Sequence, residues 1–302
     1  MLKCGIFEHD ITPALGYSMP GYFADRLSTG IKEPLRCSAV VFAEDSGVRS
    51  VIVSVDAIQI PAAHYLPARQ KIAEKLAVDI NAVTIHATHI HSGGPVGDFP
   101  VKADKDYCIF LENRIIDSVI LASQQLRDVK IGFARDFDNT LAHYRIRALE
   151  DGTIRTNYLG EGIKTKPYGE IDPEITCMVI DNADGSHYGV IVNYACHTDC
   201  VGGQELSSDF PGAMRETLRE TFGQAFMPVF LNGFFGNLNH IDFDNFSHKR
   251  SGYYRWMGRK LARRVSAAME DAVYFDDPIL MATSKTITVK TRMPESELLE
   301  WA

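Results

Sequence analysis

No apolar run in the 302-residue chain approaches the ~20 residues that a membrane-spanning helix needs. Its opening, MLKCGIFEHDITP, has no long apolar region of the kind a signal peptide carries. These two absences lead to the expectation of a cytoplasmic protein with no membrane span. Basic clusters are also missing apart from HKRSGYYRWMGRKLARR at 248–264, and the formal net charge is −8 with a pI near 5.7. Phosphate recognition needs a cationic face, so no nucleic-acid partner is expected. The basic stretch reads as a solvated helix face with cations suited to the latter part of a helix. The six cysteines, at 4, 37, 108, 177, 196 and 200, include no pair at Cys-x-x-Cys spacing. They are too sparse for a disulfide framework and read as reduced, buried thiols. CHTDC at 196–200 lacks the second ligand pair of a zinc knuckle and the Cys-x-x-Cys-His order of a haem attachment site.

What is present is ample core material: 45% of residues are hydrophobic and 23% charged. Short β-branched runs alternate with longer amphipathic segments, and no internal repeat or low-complexity linker intervenes. AVVFA (39–43) and SVIVSVD (50–56) predict a hairpin turning at Gly47. PAAHYLPARQKIAEKLA (61–77) predicts a helix that Pro67 should kink or delay. AVTIHAT (82–88) is a buried strand, and a helix is expected from about Asp104 to Gln125. KIGFAR (130–135) reads as a strand, and 175–197 as a second hairpin around NADG. A helix at 210–222 has Asp209 as its N-cap, a strand PVFLNG follows at 228–233, and a helix spans about Tyr253 to Glu270. A β-rich stretch at 281–291 completes the pattern. The predicted fold is α/β, with mixed β-sheets covered by helices, in a single domain over 1–302.

Three of the ten histidines fall in HATHIHSGGP at 86–95, at the end of a predicted strand. In extended chain His89 and His91 share a side while His86 points the opposite way, so His89 and His91 form the working pair. A His-x-His of this kind is either a ligand pair or two loop imidazoles bonded to backbone. His197, at the end of a second strand, and the polar GNLNH loop after a third add weight to the metal reading.

These motifs resemble the catalytic domain of the neutral/alkaline non-lysosomal ceramidases and their shorter bacterial relatives. The matching pieces are DITP (10–13), GY (21–22), VSVD (53–56), ATHIHSGGP (87–95), DGTIRTN (151–157), VNYACH (192–197), SSDFPG (207–212) and NGFFGNLN (232–239), in family order. The resemblance implies one Zn2+ and hydrolysis of an amide bond, as in ceramide, a sphingolipid; the expected activity is hydrolysis of an amide or ester bond by a metal-activated water. It implies that His89 and His197 are metal ligands, that His91 contacts the reacting centre, and that Arg145 lies near the site with Arg147 as competitor. Gly233, Asn237 and Asn239 of the NGFFGNLN loop are the candidate substrate-binding residues. Asp10, Asp56 and Asp209 could orient ligand histidines from behind, although each also fits a cap or turn.

Two departures accompany the resemblance. The loop serine needed for activity in secreted ceramidases aligns with Gly233, and the family's remaining ligands, a glutamate and a tyrosine, should lie beyond TRMPESELLEWA, where a helix is expected to begin. The zinc site would then be completed there, or by His91, His240 or Asp242. The expected partner is a small-molecule or lipid-like acyl substrate. The alternatives are a non-catalytic lipid- or glycan-binding relative, and a hydrolase using the same metal on a soluble N-acyl amine or phosphoester. Phe210, Phe234, Phe235, Phe243 and Phe246 are either acyl-groove or core residues.

Overall fold

The computed structural model describes residues 2–97, 102–159, 164–276 and 278–291. Its strands bury both faces, which is why they read as nearly continuous apolar runs. In Arg36–Glu44, Cys37, Ala39 and Val41 enter one apolar cluster while Val40 and Phe42 enter another. In His187–Tyr194, Val190, Val192 and Tyr194 face one way and Tyr188 and Ile191 the other.

Eight strands form a continuous path in a nine-stranded mixed sheet. From one end the order is Met227–Asn232, His187–Tyr194, Glu174–Asn182, Arg127–Phe137, Lys3–Asp10, Arg36–Glu44, Gly47–Val55 and Val83–Ala87. The outermost pair at each end is parallel and the other pairs along the path are antiparallel. The two halves join where Arg127–Phe137 meets Lys3–Asp10 through only two residue pairs. At that narrow join the sheet folds over, and its two halves enclose Leu2, Ile6, Val40, Phe42, Ile180 and Val229. Ser54 Oγ of one half donates to the Phe230 carbonyl of the other at 2.6 Å.

Helices α1 (Ala62–Leu76) and α2 (Lys105–Ser123) cover the outer face of one half, through residues such as Ile72, Leu111 and Ile115. Helices α3 (Asp209–Phe222) and α4 (Tyr253–Glu270) cover the other, through Met214, Leu218, Leu261 and Val265. The layers are therefore helix, sheet, sheet, helix, which is the mixed α/β class expected.

Three expectations change. Helix α1 continues through Pro67 without a delayed start. The carbonyl left without its i+4 donor belongs to exposed Ala63, where water can serve it. The N-cap of α3 is Ser208, and Asp209 is instead its first residue, in the left-handed region at φ 54°. Residues 281–291 form no strand, because alternation makes a strand only where a partner edge supplies hydrogen bonds. The short strand Val273–Tyr274 takes a place on Arg127–Phe137. The helix expected at PESELLEWA lies outside the described residues. All six cysteines are free, and among the described residues no helix is long and apolar enough to cross a membrane.

Candidate metal centre

Folding the sheet over brings its two parallel ends together. Asn232 N, at the end of one edge strand, donates to His86 Nε2 on the other edge at 3.1 Å. His86 thus serves the seam between the halves, and burial lowers its pKa to about 4.

The strand carrying His86 stops at Ala87, so strand alternation does not govern His89 and His91. His89 has φ 61°, a left-handed turn that redirects the chain. Four hydrogen bonds hold this turn. His89 N donates to the Ala57 carbonyl at 2.9 Å, and His91 N to the Thr198 carbonyl at 3.1 Å. The Thr88 carbonyl accepts from both Thr198 Oγ1 and Asn232 Nδ2 at 2.6 Å. His197 is anchored in turn through its N–H to the Leu238 carbonyl at 3.3 Å.

The result is a group of three imidazoles, His89, His91 and His197, each offering a ligand atom within 4.8 Å of the others. His89 Nδ1 faces the Ile58 carbonyl at 2.9 Å and His197 Nδ1 faces the Phe235 carbonyl at 3.4 Å. Both contacts select the Nδ1–H tautomer and leave Nε2 as the lone-pair donor. His91 has neither ring nitrogen paired, although both are buried. Burial, reinforced by the neighbouring imidazoles, lowers His91 to about 3, and burial with His89 and Arg145 nearby lowers His197 to about 4. His89 is lowered in the same way. All three are neutral at physiological pH, the form that coordinates a metal.

Behind His91 lies a group the sequence did not single out. Asp199 Oδ1 is 3.8 Å from His91 Nδ1 and accepts a short hydrogen bond from the Tyr22 hydroxyl. Burial pushes Asp199 up to about 6 against the opposing pull of Tyr22, Arg26 and Arg145. The Arg26 guanidinium lies 4.0 Å from the Tyr22 ring centroid and donates to the His91 carbonyl at 2.5 Å. Gly21, at φ 114°, lies so close that a Cβ there would sit 2.8 Å from the His91 ring. GY at 21–22 and CHTDC at 196–200 contained Gly21, Tyr22 and Asp199, but only the folded chain sets residue 22 against residue 199.

The two arginines separate clearly. Arg145 is half-buried and acts electrostatically on His89, His197 and Asp199. Buried Arg147 bonds Thr165 and Asp244 and packs on Phe243, a structural set of partners. The carboxylates expected behind the histidines do not contact them. Asp10 caps Thr12 N at 2.8 Å and pairs with Arg36 at the surface. Asp56 is fully buried against Arg215 and reaches the site only through Thr88 Oγ1 at 3.3 Å. Asp209 accepts from Val201 N and Phe210 N, and burial pushes it up to about 7. Backbone carbonyls do the orienting instead.

In the loop after Met227–Asn232, Phe235 packs 4.9 Å from His89 and 5.2 Å from His197. A Cβ on Gly233 would stand 3.0 Å from Ala195 Cβ, and the Asn237 carbonyl accepts from Arg145 N at 3.0 Å. Asn239, opposite His143 in a short strand pair, is buried with both side-chain polar atoms unpaired. His240 and Asp242 stand outside the three-histidine group; His240 packs near Tyr253 at 5.9 Å, and Asp242 caps the following turn. Phe210 is core, Phe234 is exposed, and Phe243 and Phe246 line a cavity of about 860 Å³ with Leu149 and Leu159.

No protein-family model and no curated protein sequence matches the chain. Solved structures do. The neutral ceramidase from Pseudomonas aeruginosa aligns with a TM-score of 0.74 at 19% identity, covering 89% of this chain and 45% of that one. A ceramidase complexed with C2 aligns with the same score and identity, covering 89% of this chain and 44% of that chain. The chain thus spans less than half the length of these neighbours, and over most of its own length it has the fold of a neutral ceramidase.

Proposed function

We propose that this chain is a zinc-dependent hydrolase of amide bonds in lipid-like acyl substrates. The observation that carries the reading is the convergence of three neutral imidazoles, two of them oriented by backbone carbonyls, where the two halves of a ceramidase-like fold meet. His89 and His197 would hold the ion through Nε2. Bound zinc would supply a Lewis acid for the acyl carbonyl and water acidic enough to react near neutral pH. His91, with no hydrogen bond to either ring nitrogen and the Asp199 carboxylate 3.8 Å from Nδ1 to steady its charged form, takes a proton as the nucleophile adds and passes it to the departing amine nitrogen. Tyr22, Asp199 and Arg26 hold His91 in place for that transfer. Arg145 offsets the negative charge that develops on the acyl oxygen. Phe235 shields the histidines on one side.

The same convergence favours a second assignment within this reading, with His91 as third metal ligand. Metal analysis of the purified protein tests both. The expected result is one zinc per chain, lost in His89→Ala and His197→Ala, with release of free amine from short N-acyl amides that a chelator stops. Zinc retained in His91→Ala with turnover lost assigns His91 to proton transfer; zinc lost in that variant makes it a ligand. A protein that binds no zinc would sink the proposal.

A further inference from the structure

The basic stretch noted in the sequence forms one face of α4. From Arg250 to Met269 there is no acidic residue. Arg255, Arg259 and Arg263 follow at four-residue intervals, where like charges repel instead of forming the usual helix-stabilising pairs. These residues, with Arg250, Lys260 and Arg264, line a groove of about 960 Å³ around Trp256. Arg250 and Lys260 hold their cations 4.7 and 5.4 Å from the Trp256 ring centroid.

Acidic neighbours account for part of this charge. Glu33 pairs with Arg255, Asp138 with Lys260 and Arg264, and Asp136 with Arg264. Glu216 and Glu220 of α3 share a smaller cavity with Arg255 and Arg259 without closing an ion pair to Arg259. Among the described residues, Arg250, Arg259 and Arg263 have no ion-pair partner. A chain of net charge −8 therefore keeps one concentrated cationic face, along a helix roughly 27 Å long.

We infer that this face of α4 docks the protein on an anionic lipid bilayer. Its row of arginines around Trp256 offers clustered cations to phosphate headgroups, while the apolar face of α4 stays packed in the core and takes no part in insertion. The opposing charge lies in the lipid headgroups. A single-stranded nucleic acid is disfavoured because Trp256, the aromatic residue in the groove, already has the Arg250 and Lys260 cations over its ring and offers no row of rings for stacking bases.

Cosedimentation with vesicles tests this independently of the hydrolase reading, since the His89→Ala variant should bind vesicles like the parent. The full chain is expected to bind phosphatidylcholine vesicles containing phosphatidylglycerol, to ignore pure phosphatidylcholine, and to release at high salt. The variant R250Q/R259Q/R263Q, changed only at surface arginines, should bind on the order of 100-fold more weakly, with unchanged circular dichroism and thermal unfolding. Equal binding to neutral vesicles, or undiminished binding by the triple variant, would overturn the inference. Tighter binding to a single-stranded oligonucleotide than to the anionic vesicles would also overturn it.

Discussion

His91 has two buried ring nitrogens without partners, yet its main chain is held on both sides, by Thr198 through its N–H and by Arg26 through its carbonyl. The imidazole is thus fixed in place while its lone pair stays available, the arrangement of a residue kept for a ligand or a proton. The same packing constrains Gly21, whose φ of 114° and contact with the His91 ring leave no room for a methyl group. Gly21→Ala should cost about 1–2 kcal/mol through its backbone conformation and displace the imidazole as well. The expected outcome is a lowered urea midpoint together with weakened metal binding. Stability lost without any change in metal binding would mean that Gly21 serves only the turn.

Among the elements, α3 and the end of Gly47–Val55 are tied by the Asp56–Arg215 ion pair, with both side chains buried. Asp56 also accepts from Arg36 N and Thr88 Oγ1, so the pair braces the turn from which His89 projects. Removing one partner leaves the other charge buried and uncompensated. Arg215→Ala should therefore cost about 3–5 kcal/mol, measured by urea unfolding. Asp56→Ala combined with Arg215→Ala should cost less than the two single changes added together. Additive losses would show that the two side chains act separately.

Across the whole molecule, folding buries imidazoles in their neutral form. His86 and His197 are lowered to about 4, and His91 and His240 to about 3, burial being the largest cause in each case. In the unfolded chain the same groups protonate near pH 6.5. Below that pH the unfolded state binds more protons, so stability present above about 6.5 is lost as the pH falls toward 4. Each such histidine contributes up to about 1.4 kcal/mol per pH unit in this window. Asp209 has the opposite sign: raised to about 7, it favours the folded state most at low pH and less as the pH rises through 7. Asp199, raised to about 6, has the same sign as Asp209, but the four histidines outnumber the two carboxylates, so urea midpoints of the metal-free protein should fall from about pH 7 to pH 5. A flat profile would show that the imidazoles are solvated.

Much of this organisation was legible in the amino-acid order. The apolar runs and the turns at Gly47 and NADG mark the hairpins, and the amphipathic periods mark all four helices, because these signals arise within a few residues of chain. The histidine-rich motif was likewise visible as a candidate ligand set. The reason given for choosing His89 and His91 did not survive, since alternation ends at Ala87 and a left-handed residue decides where the rings point. Nor could local pattern show that a two-pair join lets the sheet fold over, setting residue 91 against residue 198 and residue 22 against residue 199. The sequence by itself determined the helices, the two hairpins and which side chains carry metal-binding chemistry, because propensity, burial period and ligand type are local properties, whereas the stretch 281–291 shows that a strand also needs a partner edge. The tertiary structure alone decided that three imidazoles meet, that backbone carbonyls orient His89 and His197, and that Tyr22 and Asp199 stand behind His91, because each of those contacts closes a long loop of chain.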